Sequence, residues 1–191
     1  MDHVGGIATL LDQHRDVWVA GHLRDEGRIP RQTVFVDAPA GKFITTELVV
    51  GGQALQAMYI PGHTLGAIAW YLPPPPGVPA GDAFTGDTLF AAGCGRLFEG
   101  SPTQMYASLQ ALVGLPLETR LWFGHEYTAA NLRFAAAIEP DNAAIAARSM
   151  ELPICTTPTS VTLELATNPF VRATSAEQFA ERRQAKDEFR G

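Results

Sequence analysis

Cysteine is scarce in this chain: Cys94 and Cys155 are the only two among 191 residues. Two thiols cannot build a disulfide framework, so a reduced, cytoplasmic setting is expected. Basic charge is not in excess either. Lys and Arg total 14 against 20 Asp and Glu, for a net charge of −6 and a pI of about 5.3. That balance excludes a general electrostatic surface for nucleic acid or anionic membrane. No apolar run approaches the roughly 20 residues that cross a bilayer, and no basic stretch followed by an apolar one marks a signal peptide. Internal repeats are absent as well. What remains is a globular composition, 46% hydrophobic and 18% charged, sufficient for one sizeable domain or one domain with a small appendage. Cys94 stands between two glycines, but no histidine adjoins it, and it reads as a buried structural thiol rather than a nucleophile.

Residues 4–14 carry Ile7, Leu10 and Leu11 and predict a first helix. Valine-rich strands are expected at 17–21 and 33–37. Two more follow at 43–50 and 55–60, joined by Gly51-Gly52, and another at 67–72. Pro73-Pro74-Pro75-Pro76-Gly77 cannot continue a ladder and reads as a stiff surface loop. A short strand at 83–86 leads to Asp87. Ser101-Pro102-Thr103-Gln104 combines an N-cap, a proline at the first helical position and a capping-box glutamine, and opens a helix to about Val113. A last strand at 121–123 precedes His125. Beyond residue 128 the pattern is helical, at 128–138, at 143–151 and from the Ser175-Ala176-Glu177-Gln178 box toward Phe189.

Four short pieces carry chemistry. Asp2-His3 precedes the first helix, and Gly62-His63-Thr64, Gly86-Asp87-Thr88 and Gly124-His125-Glu126 each follow a strand. Together they supply three histidines and two aspartates, a donor set suited to zinc. Loops at strand ends can converge on one edge of a sheet while the scaffold stays rigid. Each piece alone is an ordinary loop or turn; their joint occurrence in matching contexts makes the constellation. His14 and His22 fall outside it and are expected at the surface without a role.

On these pieces the chain resembles the metallo-β-lactamase superfamily and, within it, glyoxalase II, the hydroxyacylglutathione hydrolases. The superfamily motif is Thr-His-x-His-x-Asp-His, of which Asp2-His3 is present, with Met1 at the variable position. The glyoxalase II resemblance runs through Gly86–Phe90, Gly93–Gly100, Gly124–Thr128 and Asn131–Ala135. It continues at Glu139-Pro140, Thr167–Phe170 and Lys186–Phe189. The resemblance implies an α/β fold: an N-terminally truncated αββα sandwich over 1–127, then a small helical glutathione-binding domain over 128–191. It implies two metals, zinc or alternatively iron or manganese, bridged by Asp87. Asp2, His3 and His125 would complete one site. His63 would serve the other, with two motif histidines absent here.

The implied reaction is hydrolysis of S-(2-hydroxyacyl)glutathione, typically S-D-lactoylglutathione, to D-lactate and glutathione by metal-activated hydroxide. This is the second step of methylglyoxal detoxification, with Asp2 and Asp87 as catalytic residues. Arg96, Phe98, Tyr127, Arg183 and Lys186 match the family's glutathione contacts. Phe98 stands where some members carry tyrosine, so a hydroxyl contact there is lost. Without the resemblance, Arg183 and Lys186 would read as a solvated helix face. A monomer acting on a small thioester in the cytoplasm, without nucleic acid or membrane, is expected. The missing half-motif leaves one metal site incomplete and predicts an exposed sheet edge. It also suggests that Met1 is an internal methionine with Thr-His-x-His encoded upstream. Two alternatives stand beside this reading. One is an impaired remnant that binds glutathione conjugates. The other is a different superfamily enzyme such as an iron-dependent persulfide dioxygenase, against which Arg96–Gly100 and the helical C-terminus argue.

Overall fold

Residues 3–191 are described by a computed structural model; Asp2, an expected ligand, lies outside the described residues. In chain order the elements are α1 (Ile7–Gln13), β1 (Ala20–His22), β2 (Val34–Val36), β3 (Ile44–Val50), β4 (Gln53–Tyr59), β5 (Ile68–Leu72), β6 (Asp82–Gly86), β7 (Leu89–Phe90) and β8 (Gly93–Cys94). There follow α2 (Pro102–Val113), β9 (Arg120–Phe123), α3 (Thr128–Ile138), α4 (Ala143–Met150), β10 (Thr159–Ser160), α5 (Val161–Thr167) and α6 (Ala176–Glu188).

Period-two alternation builds the central sheet, ordered β10-β9-β6-β5-β4-β3. Its ladders are antiparallel except β6 with β9, which run parallel and are joined by a crossover through α2. Gly51 and Gly52 turn β3 into β4 with φ of +58° and +82°, the left-handed backbone that a tight hairpin of this kind requires. Met58, Ala69, Tyr71, Ala83 and Leu121 alternate onto one face of the sheet. There they join α2, Phe134 of α3, Val161 of α5 and Phe179 of α6 in a single buried cluster.

The opposite face is covered only in part. Ala57 packs with Val36 and Ala38, and Ile68, Tyr59 and Trp70 flank them beneath the parallel pair β1–β2. Farther along the same face, Phe84 is 44% exposed and stacks on Trp122 at 6.4 Å. Among the described residues, the second layer of the sandwich is reduced to this two-stranded pair, and α1 buries no residue.

The chain beyond residue 128 is not a bundle standing apart. β10 pairs antiparallel with β9 at the sheet edge, and α5 and α6 share the main core. β7, β8, β10 and α5 were not anticipated from the sequence: the three strands are only two residues long, too short for any alternation to read, and α5 is two turns of helix. His22 corrects an expectation. It is buried, not at the surface, because the first strand lies later than expected and His22 closes it facing inward. Its ring stacks on Tyr59 at 4.4 Å, and its Nδ1 accepts from Arg24 N at 3.1 Å, capping a short 3₁₀ turn over Leu23–Asp25.

Candidate active site

His63, Asp87 and His125 sit on loops that leave the same end of the sheet, after β4, β6 and β9 respectively. His3 approaches from the N-terminal side. The focus is a single oxygen, Asp87 Oδ2. His3 Nε2 lies 3.0 Å from it, His125 Nε2 3.2 Å and His63 Nε2 3.6 Å. His3 and His125 also bring their Nε2 atoms to 3.2 Å of each other. Donor atoms of His3, Asp87 and His125 all lie within 4.8 Å of one another. Asp87 Oδ1 is buried and has no hydrogen-bond partner among the described residues. Three imidazole nitrogens and one carboxylate oxygen, with the second carboxylate oxygen buried and unsatisfied, form a donor set that fits a divalent metal.

The neighbours of these ligands fix their orientation. His63 Nδ1 lies 2.8 Å from the Arg96 carbonyl. A carbonyl can only accept, so Nδ1 donates to it and Nε2 is the ring nitrogen directed at Asp87. Gly95 passes so close that a Cβ there would stand 2.0 Å from Asp87 O and 2.9 Å from His63 Nδ1. Tyr127 lies flat against His125, ring centroids 5.3 Å apart, and edge-on to Phe90 at 5.4 Å. Glu126 ties the same loop to Thr156, accepting from its backbone N at 2.8 Å and its hydroxyl at 2.6 Å.

All five expected glutathione contacts line one cavity of about 540 Å³, which has the His–Asp cluster at one end. Phe98 is 69% exposed, with its ring 4.8 Å from that of His63; Tyr127 is half exposed. Lys186 Nζ donates to Ala130 O at 3.0 Å and lies over Phe134 and Phe189. Burial, and then the positive charges of Arg183 and Arg133, lower its pKa from the usual lysine value. Arg183 is buried, contrary to a solvated face. Its Nη1 donates to Cys94 O at 3.0 Å and its Nη2 to Asp187 Oδ1 at 2.9 Å, while its Nε has no partner among the described residues. Arg96 stays largely exposed, with Nε 3.6 Å from the same Asp187 oxygen. Burial pushes the Cys94 thiol up to about 11, partly opposed by Arg183, which makes it inert at neutral pH.

Sequence reasoning missed the residues that fix the turn at 91–93, between Phe90 and Cys94 of the cavity lining. Asn131 Nδ2 donates to Ala91 O at 3.1 Å, Asn168 Nδ2 to Gly93 O at 2.9 Å, and Ala92 N to Glu164 Oε2 at 2.8 Å. Asp187 was missed as well, although its i,i+4 spacing from Arg183 on α6 was a readable signal.

Residues 1–125 match the family model of the metallo-beta-lactamase superfamily, and residues 126–189 match that of the hydroxyacylglutathione hydrolase C-terminus. A hydroxyacylglutathione hydrolase of Thermosynechococcus vestitus is 45% identical over 179 residues, covering 90% of this chain and 66% of the relative. One from Acidiphilium cryptum is 44% identical over 196 residues, covering 98% of this chain and 74% of the relative. The chain thus spans about two thirds of the length of the first relatives it matches. Among solved structures, ETHE1 from Myxococcus xanthus superposes with a TM-score of 0.66 at 26% identity, covering 96% of this chain and 64% of that one. TTHA1623 in a di-iron-bound form gives a TM-score of 0.52 at 28% identity, covering 88% of this chain and 72% of that one.

Proposed function

The chain belongs to the hydroxyacylglutathione hydrolases of the metallo-β-lactamase superfamily, and on that footing we propose that it cleaves the thioester of S-(2-hydroxyacyl)glutathione, S-D-lactoylglutathione being the leading substrate. The products are a 2-hydroxy acid and glutathione. One observation carries the reading: a cavity with a three-histidine, one-carboxylate focus at one end and Arg96, Lys186 and Arg183 along its wall.

His3, Asp87 and His125 would hold one divalent metal, with Asp2 as a further ligand. His63 and Asp87 would contribute to a second. Zinc suits the donors best, with iron or manganese as the alternatives. When bound, such a metal supplies a water nucleophile at neutral pH and Lewis acidity toward the thioester carbonyl.

The remaining work falls to the chain. Arg96 and Lys186 draw the substrate's carboxylates to the wall of the cavity. Arg183, occupied by Cys94 O and Asp187, acts mainly by fixing α6 against the Cys94 loop. Phe98 and Tyr127 flank the ligands and shield the reacting bond from bulk water. Asp87 orients the attacking water, since its Oδ2 is the point on which all three imidazoles converge. The departing thiolate comes from a thiol of pKa near 8.5, so no strong general acid is needed. A reducing cytoplasm suits the two free thiols; among the described residues, no helix is long and apolar enough to cross a membrane.

The test is hydrolysis of S-D-lactoylglutathione by the zinc-supplemented chain and its Asp87→Ala variant. Turnover should fall at least about 10³-fold in the variant, with loss of bound metal. A variant as active as the parent would refute the assignment of Asp87. A parent that binds glutathione conjugates without turnover would favour the impaired-remnant reading.

A further inference from the structure

The segment Arg96–Gly100 lies along the loop that carries His63. Phe98 N donates to His63 O at 3.2 Å, and Gly100 N to Gly62 O at 3.0 Å. Between these two residues Glu99 turns its carboxylate back onto the same loop. Its Oε2 accepts from Leu65 N at 2.7 Å and from Arg28 Nη1 at 3.1 Å, and its Oε1 accepts from Arg28 Nη2. Arg28 is brought there by the turn after β1 and is steadied by Asp25 Oδ1 at 3.1 Å. The Arg28 guanidinium first, and then the Leu65 N–H, hold the Glu99 carboxyl below the usual carboxylate range, so it stays ionised at neutral pH.

A partly exposed ion pair of this kind adds little to global stability, typically about 0–1 kcal/mol. Its geometry says more. The arrangement is bidentate, which fixes direction as well as distance. It clamps Leu65 two residues beyond His63, while Arg96 O takes the His63 Nδ1 proton on the other side. The His63 ring is thus held at Nδ1 and its loop is pinned two residues farther on, with Nε2 3.6 Å from Asp87 Oδ2.

We propose that Glu99, with Arg28 as its counter-ion, is a positioning residue that sets how well His63 holds metal. This rests on the reading of His63 as a ligand. Supporting groups of this kind are worth about 10–100-fold in metal affinity when removed.

The experiment uses the full chain loaded with zinc or with cobalt(II) as a spectroscopic probe. Metal affinity is measured by competition with a chelator for the parent, E99A, E99Q, H63A and E99A/H63A. E99A should weaken affinity about 10–100-fold and perturb the cobalt absorption bands, with a Tm within a few degrees of the parent. E99Q keeps an acceptor for Leu65 N and should recover part of the loss. In the H63A background, E99A should add nothing. A Tm shift without any change in affinity or cobalt spectrum would overturn the proposal. So would an equal loss with and without His63. If H63A itself leaves metal affinity and spectrum unchanged, the ligand assignment of His63 has failed instead.

Discussion

Glu164 offers a sharp test of how the cavity is supported. It lies on α5, fully buried, and its carboxylate accepts four hydrogen bonds. Oε2 takes Ala92 N at 2.8 Å and Asn168 Nδ2 at 2.8 Å; Oε1 takes Arg148 Nη1 at 2.9 Å and Thr159 Oγ1 at 2.7 Å. Replacement by alanine leaves the Arg148 guanidinium, itself mostly buried, with only the Thr159 and Thr167 hydroxyls and no counter-charge, and leaves Ala92 N without its acceptor. Removing one partner of a buried pair costs about 3–5 kcal/mol. At about 2–4 °C per kcal/mol for a chain of this size, the melting temperature should drop by roughly 6–20 °C. Glu164→Gln keeps the volume and one acceptor and should lose less. Removing both charges, as in R148M/E164L, relieves the stranded cation and should recover most of the loss. Thermal and urea unfolding followed by circular dichroism read all four proteins. An E164A loss below about 1 kcal/mol, or a double variant no more stable than E164A, would refute the argument that this pair is a mutually dependent buried unit.

Gly95→Ala should reduce bound metal and turnover at least about tenfold with the fold retained. Its methyl would sit 2.0 Å from Asp87 O and must displace the ligand's own backbone; metal content and circular dichroism together decide, and unchanged metal content would count against the close approach. Glu139 governs acid stability. Burial by itself would raise its carboxyl, but Asn142, Arg172 and Arg182 outweigh that and lower it. A lowered folded pKa contributes stability above the unfolded value near 4.3, and that contribution fades as pH falls through the folded value. The urea midpoint of the parent should therefore exceed that of Glu139→Gln at pH 6–7, and the gap should close below about pH 4. A gap that persists or widens in acid would contradict the sign.

Local signals were legible where they act over one turn of chain. The Ser101 box forms as its four residues predict: Gln104 N donates to Ser101 Oγ at 3.2 Å and Ser101 N to Gln104 Oε1 at 2.9 Å. At Ser175 only half of the box closes. Gln178 N reaches Ser175 Oγ, but the Gln178 side chain accepts from Thr174 N instead, a choice set by the incoming chain. The family resemblance brought the candidate ligands into view, and His3, His63, Asp87 and His125 do converge in space. Illegible were partnerships that span the chain. Glu99 meets Arg28, 71 residues away, and Glu164 meets Ala92, 72 residues away, so no window of sequence contains both members. His22 misled because it was read as a turn residue beyond the first strand, whereas it ends that strand and packs on Tyr59, 37 positions away in sequence.

β10 is two residues long, yet it alters how the molecule can breathe. By pairing with β9 it anchors the C-terminal helices to the strand that delivers His125, and the core beneath is common to both. The cavity's His–Asp end and the part of its cationic wall that α6 supplies therefore belong to one cooperative unit. Amide protons of β9, α5 and α6 should exchange through a shared opening event rather than as separate foldons. An exposed side chain such as the Phe98 ring, by contrast, changes rotamer within nanoseconds, without any opening of that unit.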